Sequence, residues 1–175
     1  MSFSKRLYST LTISRTDAYQ AILRKESQYD YYKRNHSSPI ILNLVALNGH
    51  LFGHTMESIM CSLYNMSPRT SSQHDGIFSG HKIEIKSARY WNGTTNCRWQ
   101  HLQLNHDYDI AMLVLVDFHK VNVWAIHKSL LMGTLREKGI VTKQGTQGYW
   151  TTKSDIIRYL NPIDTIDDFS SFIKK

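Results

Sequence analysis

Ser79-Gly80 sits between two short alternating runs, and this pair constrains the fold of the 175-residue chain more than any other feature. Glycine supplies the positive φ that tight hairpin turns need, so the dipeptide predicts a hairpin over residues 74–86. With Ser79 and Gly80 as the loop, pairing runs outward from the turn. Phe78 then faces His81, Ile77 faces Lys82, Gly76 faces Ile83 and Asp75 faces Glu84. Side chains alternate along a strand, which puts Lys86 on the face of Glu84. Phe78, Ile83 and Ile85 form an apolar face opposite.

Two adjacent carboxylates repel each other, and a divalent cation relieves the repulsion. Oxygen ligands suit Mg²⁺. A lysine beside such a cation can orient or deprotonate a water, so one hairpin face holds the parts for metal-assisted phosphodiester hydrolysis. The plain alternative is a solvated strand face of mixed charge.

The length suggests one domain over residues 1–175, with a core at about 40–135. An apolar fraction of 41% argues against disorder. A net charge of +7 points to an acidic partner, nucleic acid before membrane. The apolar runs are too short for a transmembrane helix, so no membrane is expected. Cys61 and Cys97 lack CxxC spacing and form no disulfide framework, which fits a reducing, intracellular compartment: cytoplasm or nucleoid. Residues 1–16 carry Lys5, Arg6 and Arg15 and no acid. That composition is compatible with organellar import, and equally with an ordinary basic N-terminus.

Along the chain, a helix is expected from Asp17, capped by Thr16, to about Arg34. Its Tyr29, Tyr31 and Tyr32 lie among Lys25, Lys33 and Arg34. They either contact nucleic acid or sit half in the core. Residues 40–47 are an apolar run whose length does not separate strand from helix. Residues 50–64 are helical in pattern, with Leu51, Phe52, Met56, Ile59, Met60 and Leu63 near one stripe. Glu57 in this helix is either a solvent-facing residue or a third carboxylate reaching toward Asp75. Residues 65–73 read as a loop.

Residues 87–101 contain Asn92-Gly93 and read as a loop with base-reading side-chain types: Arg89, Asn92, Asn96, Arg98 and Gln100. Residues 109–117 are the clearest buried strand, apolar throughout and bounded by acids. Residues 121–126 alternate and complete a second hairpin. A helix over 127–137 ends near Gly139. Residues 142–152, with Lys143, Gln144 and Gln147, are either a plain connector or a second DNA-contacting loop. Ser154 is expected to cap a helix through Leu160, and the acidic tail ends in an amphipathic stretch.

The order of a helix with Glu57, a hairpin with Asp75 and Glu84-Ile85-Lys86, and a buried strand from Ile110 resembles the PD-(D/E)XK nuclease superfamily, which holds many type II restriction endonucleases. The resemblance covers about residues 53–126, and its most specific part is Asp75…Glu84-Ile85-Lys86. His74 stands where the family's name puts proline. The resemblance implies an α/β fold with a restriction-endonuclease-like αβββαβ core, a central mixed β-sheet flanked by helices. It implies that Asp75 and Glu84 ligate Mg²⁺ with the backbone carbonyl of Ile85. Lys86 would orient or activate the attacking water, and Glu57 would assist through a water or a second metal. His74, His81, His101 and His106 flank the site without the spacing of a zinc motif.

The expected function is a Mg²⁺-dependent DNA endonuclease, first a type II restriction enzyme cutting double-stranded DNA as a homodimer. A homing endonuclease, junction resolvase or repair nuclease would share the core chemistry. A non-catalytic nucleic-acid-binding module is the reading from another class. Two carboxylates placed where DNA would lie count against it, since they repel phosphate unless a cation intervenes.

Overall fold

The computed structural model describes residues 26–174. The expected helix start at Thr16 and Asp17, and the basic segment 1–16, lie outside the described residues. The first described helix is α1 (Gln28–Arg34), whose N-cap Ser27 accepts the Asp30 N–H. Tyr31 and Tyr32 are buried, which assigns both to the core rather than to a nucleic-acid surface. The Tyr32 hydroxyl donates to the Val116 carbonyl at 2.6 Å and accepts the Tyr90 N–H at 2.8 Å.

The apolar run at 40–47 is helical. Helix α2 (Pro39–Ala46) begins with Ser38 as N-cap and proline in the first turn, where its missing N–H costs nothing. Helix α3 (Gly49–Leu63) follows, capped by Asn48. Its buried stripe is Phe52, Met56 and Met60, while Leu51 and Leu63, expected on that stripe, are exposed.

The central sheet is mixed and has six strands in the order β1-β2-β3-β5-β6-β9. These are β1 (Ser67–Pro68), β2 (Gly76–Phe78), β3 (His81–Arg89), β5 (Ile110–Val116), β6 (Val121–His127) and β9 (Asn161–Pro162). The turn falls at Ser79-Gly80, both at positive φ, and the register pairs Phe78 with His81, Ile77 with Lys82 and Gly76 with Ile83, as expected. β3 and β5 are parallel, and β5 and β6 are antiparallel. Every residue of β5 is buried, which places that strand at the centre of the core. Helices flank the sheet. α3 packs against β3, and the C-terminal helix stacks Phe169 on Phe78 at 4.5 Å between ring centroids.

A second, three-stranded sheet has the order β4-β8-β7, made of β4 (Arg98–Leu102), β7 (Thr142–Lys143) and β8 (Tyr149–Thr152). The two segments read as loops, 87–101 and 142–152, therefore meet in one sheet. The register of β4 shifts between Trp99 and Leu102, and His101 there has a φ of 59°. After β6, Ser129–Leu135 is wound as a π-helix, and Gly139 ends the segment at a φ of 72°. Thr152, not Ser154, takes the N-cap position of the short α4 (Lys153–Ile156). Helix α5 (Ile166–Ile173) opens with a capping box of Thr165 and Asp168 and is the amphipathic tail. No helix among the described residues is long and apolar enough to cross a membrane.

The second sheet depends on close approach at Gly148. Its φ is 97°, and an added Cβ would stand 2.5 Å from the Leu102 carbonyl oxygen. Gly148→Ala is expected to cost about 1–3 kcal/mol in urea unfolding. A change below about 0.5 kcal/mol would show that β8 does not need this approach.

Candidate active site

Strand β2 is three residues long, and its shortness builds the site. β3 runs on past Ile83 to Arg89, where β2 no longer covers its edge. In an extended strand, the N–H and C=O of one residue point to the same edge. Those of Ile83 and Ile85 face the β2 side. Ile83 C=O accepts the Asp75 N–H at 2.8 Å. The Ile85 N–H goes instead to the Asp75 carboxylate at 2.7 Å. Asp75 is thus not a ladder partner of Glu84, as the simple outward count predicts. The ladder stops at Gly76, and the Asp75 side chain occupies the strand edge. Ile85 C=O points out of that same edge.

Glu84 is only 3% exposed, so the solvated-face alternative does not describe it. Its Oε1 lies 2.5 Å from Lys86 Nζ, the neighbour that alternation puts on its face. An ionised carboxylate out of water needs such a partner. Burial pushes the Glu84 carboxyl above its ordinary range, Lys86 draws it back, and the charges of Asp75 and Glu57 push it up further. Glu57 comes from α3. Burial raises its carboxyl, the charge of Asp75 adds to that, and Lys86 and His54 oppose it. Asp75, Glu84, Lys86 and Glu57 therefore form one electrostatic neighbourhood.

A cleft of about 700 Å³ opens beside these residues. α3 lines it with His50, Phe52, Gly53, His54 and Glu57, and β3 with residues 85–89. Trp91, Arg98, Gln100 and His101 line it as well. The bulge in β4 explains the last group. Strict alternation would send Gln100 and Leu102 one way and His101 the other. With the register break, Trp99 and Leu102 are both fully buried while Gln100 and His101 both reach the cleft. His54 Nδ1 is 3.4 Å from Glu57 Oε2. His50, His54 and Glu57 follow i, i+4, i+7 spacing on α3, a helical stripe that could have been read from the sequence.

The expected DNA contacts divide. Arg89 Nη1 donates to the carbonyls of Val45 and Leu47, at 2.6 and 2.8 Å, so it clamps the C-terminus of α2. Asn92 donates to the Glu26 carbonyl, and Asn96 binds the Cys97 and Ser154 backbone N–H groups. These three side chains serve the fold. Arg98 and Gln100 line the cleft. Lys143 is exposed on β7, and the Gln144 amide donates to the Gln147 side chain at 3.3 Å in the β7–β8 turn. Gln144 Oε1 also accepts the His101 N–H at 3.5 Å, which joins this turn to β4.

Two neighbours of the carboxylates lack partners among the described residues. His106 Nδ1 and the Tyr108 hydroxyl are buried without a hydrogen bond. Burial lowers the His106 pKa, and Lys86 and Lys128 add to that. Burial raises the Tyr108 hydroxyl, with Glu84 as the second cause. Tyr108 carries no periodic or motif signal in sequence. By contrast, His74 is buried and accepts the Thr70 N–H at 3.2 Å, and His81 Nδ1 lies 4.0 Å from Asp109. Both have local partners.

The oxygen donors here are the Asp75 carboxylate and the Ile85 carbonyl at the strand edge and the Glu84 carboxylate on the face of β3. That oxygen set fits Mg²⁺, which takes one or two carboxylates and retains waters. No cluster of three or more His, Cys, Asp and Glu with metal-binding geometry is present among the described residues.

The raised Glu57 carboxyl has a measurable consequence. The folded state holds its proton to higher pH than the unfolded chain, whose ordinary value is 4.5. Stability therefore falls as pH rises from about 4.5 through the raised folded value. Glu57→Gln is expected to flatten that fall and to raise neutral-pH stability in chelator-treated urea titrations. An unchanged pH profile would remove Glu57 from the coupled group. Comparison with known protein families, curated proteins and solved structures finds no match, so the functional reading of this cleft rests on its geometry and chemistry.

Proposed function

We propose that this chain is a Mg²⁺-dependent DNA endonuclease that hydrolyses phosphodiester bonds in the cleft beside Glu84. One observation carries the reading. A buried glutamate is paired to a lysine two residues on, next to an aspartate that replaces a strand at the sheet edge, and that lysine and Glu57 line a cleft shared with Arg89, Arg98 and three histidines. The surplus of carboxylates beside one lysine invites a cation, and the basic wall invites phosphate.

In this reading Asp75, Glu84 and the Ile85 carbonyl hold Mg²⁺, which when bound acidifies a water and polarises a phosphoryl oxygen. Lys86, tethered to Glu84, orients the attacking water and neutralises charge on the phosphate. Glu57 accepts a hydrogen bond from a water on the α3 side. A restriction-endonuclease-like core agrees with α3, the β1-β2-β3 meander and the parallel β3–β5 pair. It departs where an αβββαβ order would set a second helix: the crossover from β3 to β5 contains β4 instead.

The role proposed first is that of a type II restriction enzyme acting on duplex DNA as a homodimer. Two active sites are needed to cut both strands, and a two-fold dimer would match a palindromic target. A structure-selective nuclease, of the resolvase or repair kind, is the second reading. The exposed Trp91 at the cleft favours it.

Supercoiled plasmid in Mg²⁺ is expected to be nicked or linearised by the wild type, and sequenced ends report whether cutting is site-specific. Lys86→Ala and Asp75→Asn should each slow cleavage by at least about 100-fold, the usual scale for losing an acid–base or water-orienting group. Circular dichroism controls for folding. Equal rates for wild type and Lys86→Ala would sink the catalytic assignment. Mg²⁺ should also raise the melting temperature of the wild type but not of Asp75→Asn.

A further inference from the structure

Arg98 is a cation without a counter-ion among the described residues. It lies over the Trp91 ring at 5.1 Å and over the Trp150 ring at 3.9 Å, measured from Cζ to each centroid. Its Nε is buried and has no hydrogen-bond partner among the described residues. Buried polar groups are nearly always paired, so a half-buried guanidinium with an orphaned nitrogen is poorly satisfied, and its accessible edge at the cleft is free to take an acceptor from outside the chain. The indoles restrict the guanidinium to a fixed orientation, and its edge donors suit a phosphate. Beside it, Trp91 is 40% exposed and lines the same cleft as Lys86 and Glu57.

We propose that Trp91 and Arg98 form a subsite for one unpaired nucleotide, with the base stacked on the exposed indole of Trp91 and an adjoining phosphate on the edge of Arg98. The proposal rests on the DNA reading of the cleft in its second, structure-selective form and names the substrate class: DNA with an unpaired nucleotide next to the bond that is cut. The physical reason is steric. Within a duplex both faces of each base are covered by neighbours, and only the edges are open in the grooves. An indole face can stack only on a base that has left the helix or was never in one. A phosphate site alone would explain Arg98 but would leave the exposed Trp91 unused. Gln100 and His101, which the β4 bulge brings to the same cleft, supply donors and acceptors for the edge of the stacked base.

Binding without cleavage tests the subsite. Fluorescence anisotropy in a chelator compares a labelled single strand of mixed sequence, about ten nucleotides long in keeping with usual site sizes, with its blunt duplex. The wild type should bind the single strand more tightly. Trp91→Ala should weaken single-strand binding by about tenfold, the scale of one stacked base, and leave duplex binding within about twofold. Trp91→Phe should restore most of the loss. Arg98→Ala should reduce the slope of log affinity against log salt by about 0.7 for the single strand, and Arg98→Lys should restore that slope. Trp91 is a surface residue, so its variants stay informative if Arg98→Ala fails to fold. Equal binding of both DNAs, or a Trp91→Ala loss shared by both or absent from both, would overturn the proposal. Plasmid that stays uncut while Trp91-dependent single-strand binding persists would remove the nuclease reading and leave the subsite. Normal cleavage with binding indifferent to Trp91 would do the reverse.

Discussion

The hydrogen bond from the Ile85 N–H to the Asp75 carboxylate, 2.7 Å long, is the interaction on which the candidate site depends. A strand edge must find acceptors for its N–H groups. At β3 the neighbouring strand ends at Gly76, and a side chain takes over its work. Asp75 is thereby fixed beside the strand, and the edge stays open for the Ile85 carbonyl. A longer β2 would have satisfied β3 completely and closed the site.

Charge and burial then set the character of the site. Glu84 is almost wholly out of water, and Lys86 is the cation that makes its ionisation tolerable. Asp75 and Glu57 add negative charge to a place already short of solvent, and the raised Glu57 and Glu84 carboxyls express that conflict. Such an arrangement costs stability unless a ligand resolves it, and perturbed carboxylates in a cleft are a mark of function. Arg98, which lines the cleft with Lys86 and Glu57, has the opposite deficit: its buried Nε has no acceptor among the described residues.

The hairpin was legible because its causes are local. The Ser79-Gly80 turn needs positive φ at its loop residues, and once it is placed, the register from Phe78 to Gly76 follows by counting. The placing of Lys86 on the face of Glu84 followed from alternation alone; that the two form an ion pair did not. The count went wrong at Asp75, where the ladder gives way to a side-chain contact that counting does not anticipate. Helix α2 was ambiguous by length, although Ser38-Pro39 is a helix-start signal that tips the balance. Arg89, Asn92 and Asn96 looked like base readers only because a polar loop says nothing about which backbone groups need partners elsewhere.

By itself the sequence determined the central hairpin, the buried strand Ile110–Val116, the helix carrying Glu57, and the placing of Glu84 and Lys86 on one face of one strand. Each of these depends on φ preference, alternation or helical period, which act over a few residues. Tertiary structure decided that residues 98–102 and 149–152 share a sheet, that Arg89 clamps α2, and that Arg98, at the cleft, packs over Trp150. Those contacts join residues dozens of positions apart. Their partners are chosen by packing and by the need to satisfy buried polar groups, and no local pattern records that choice.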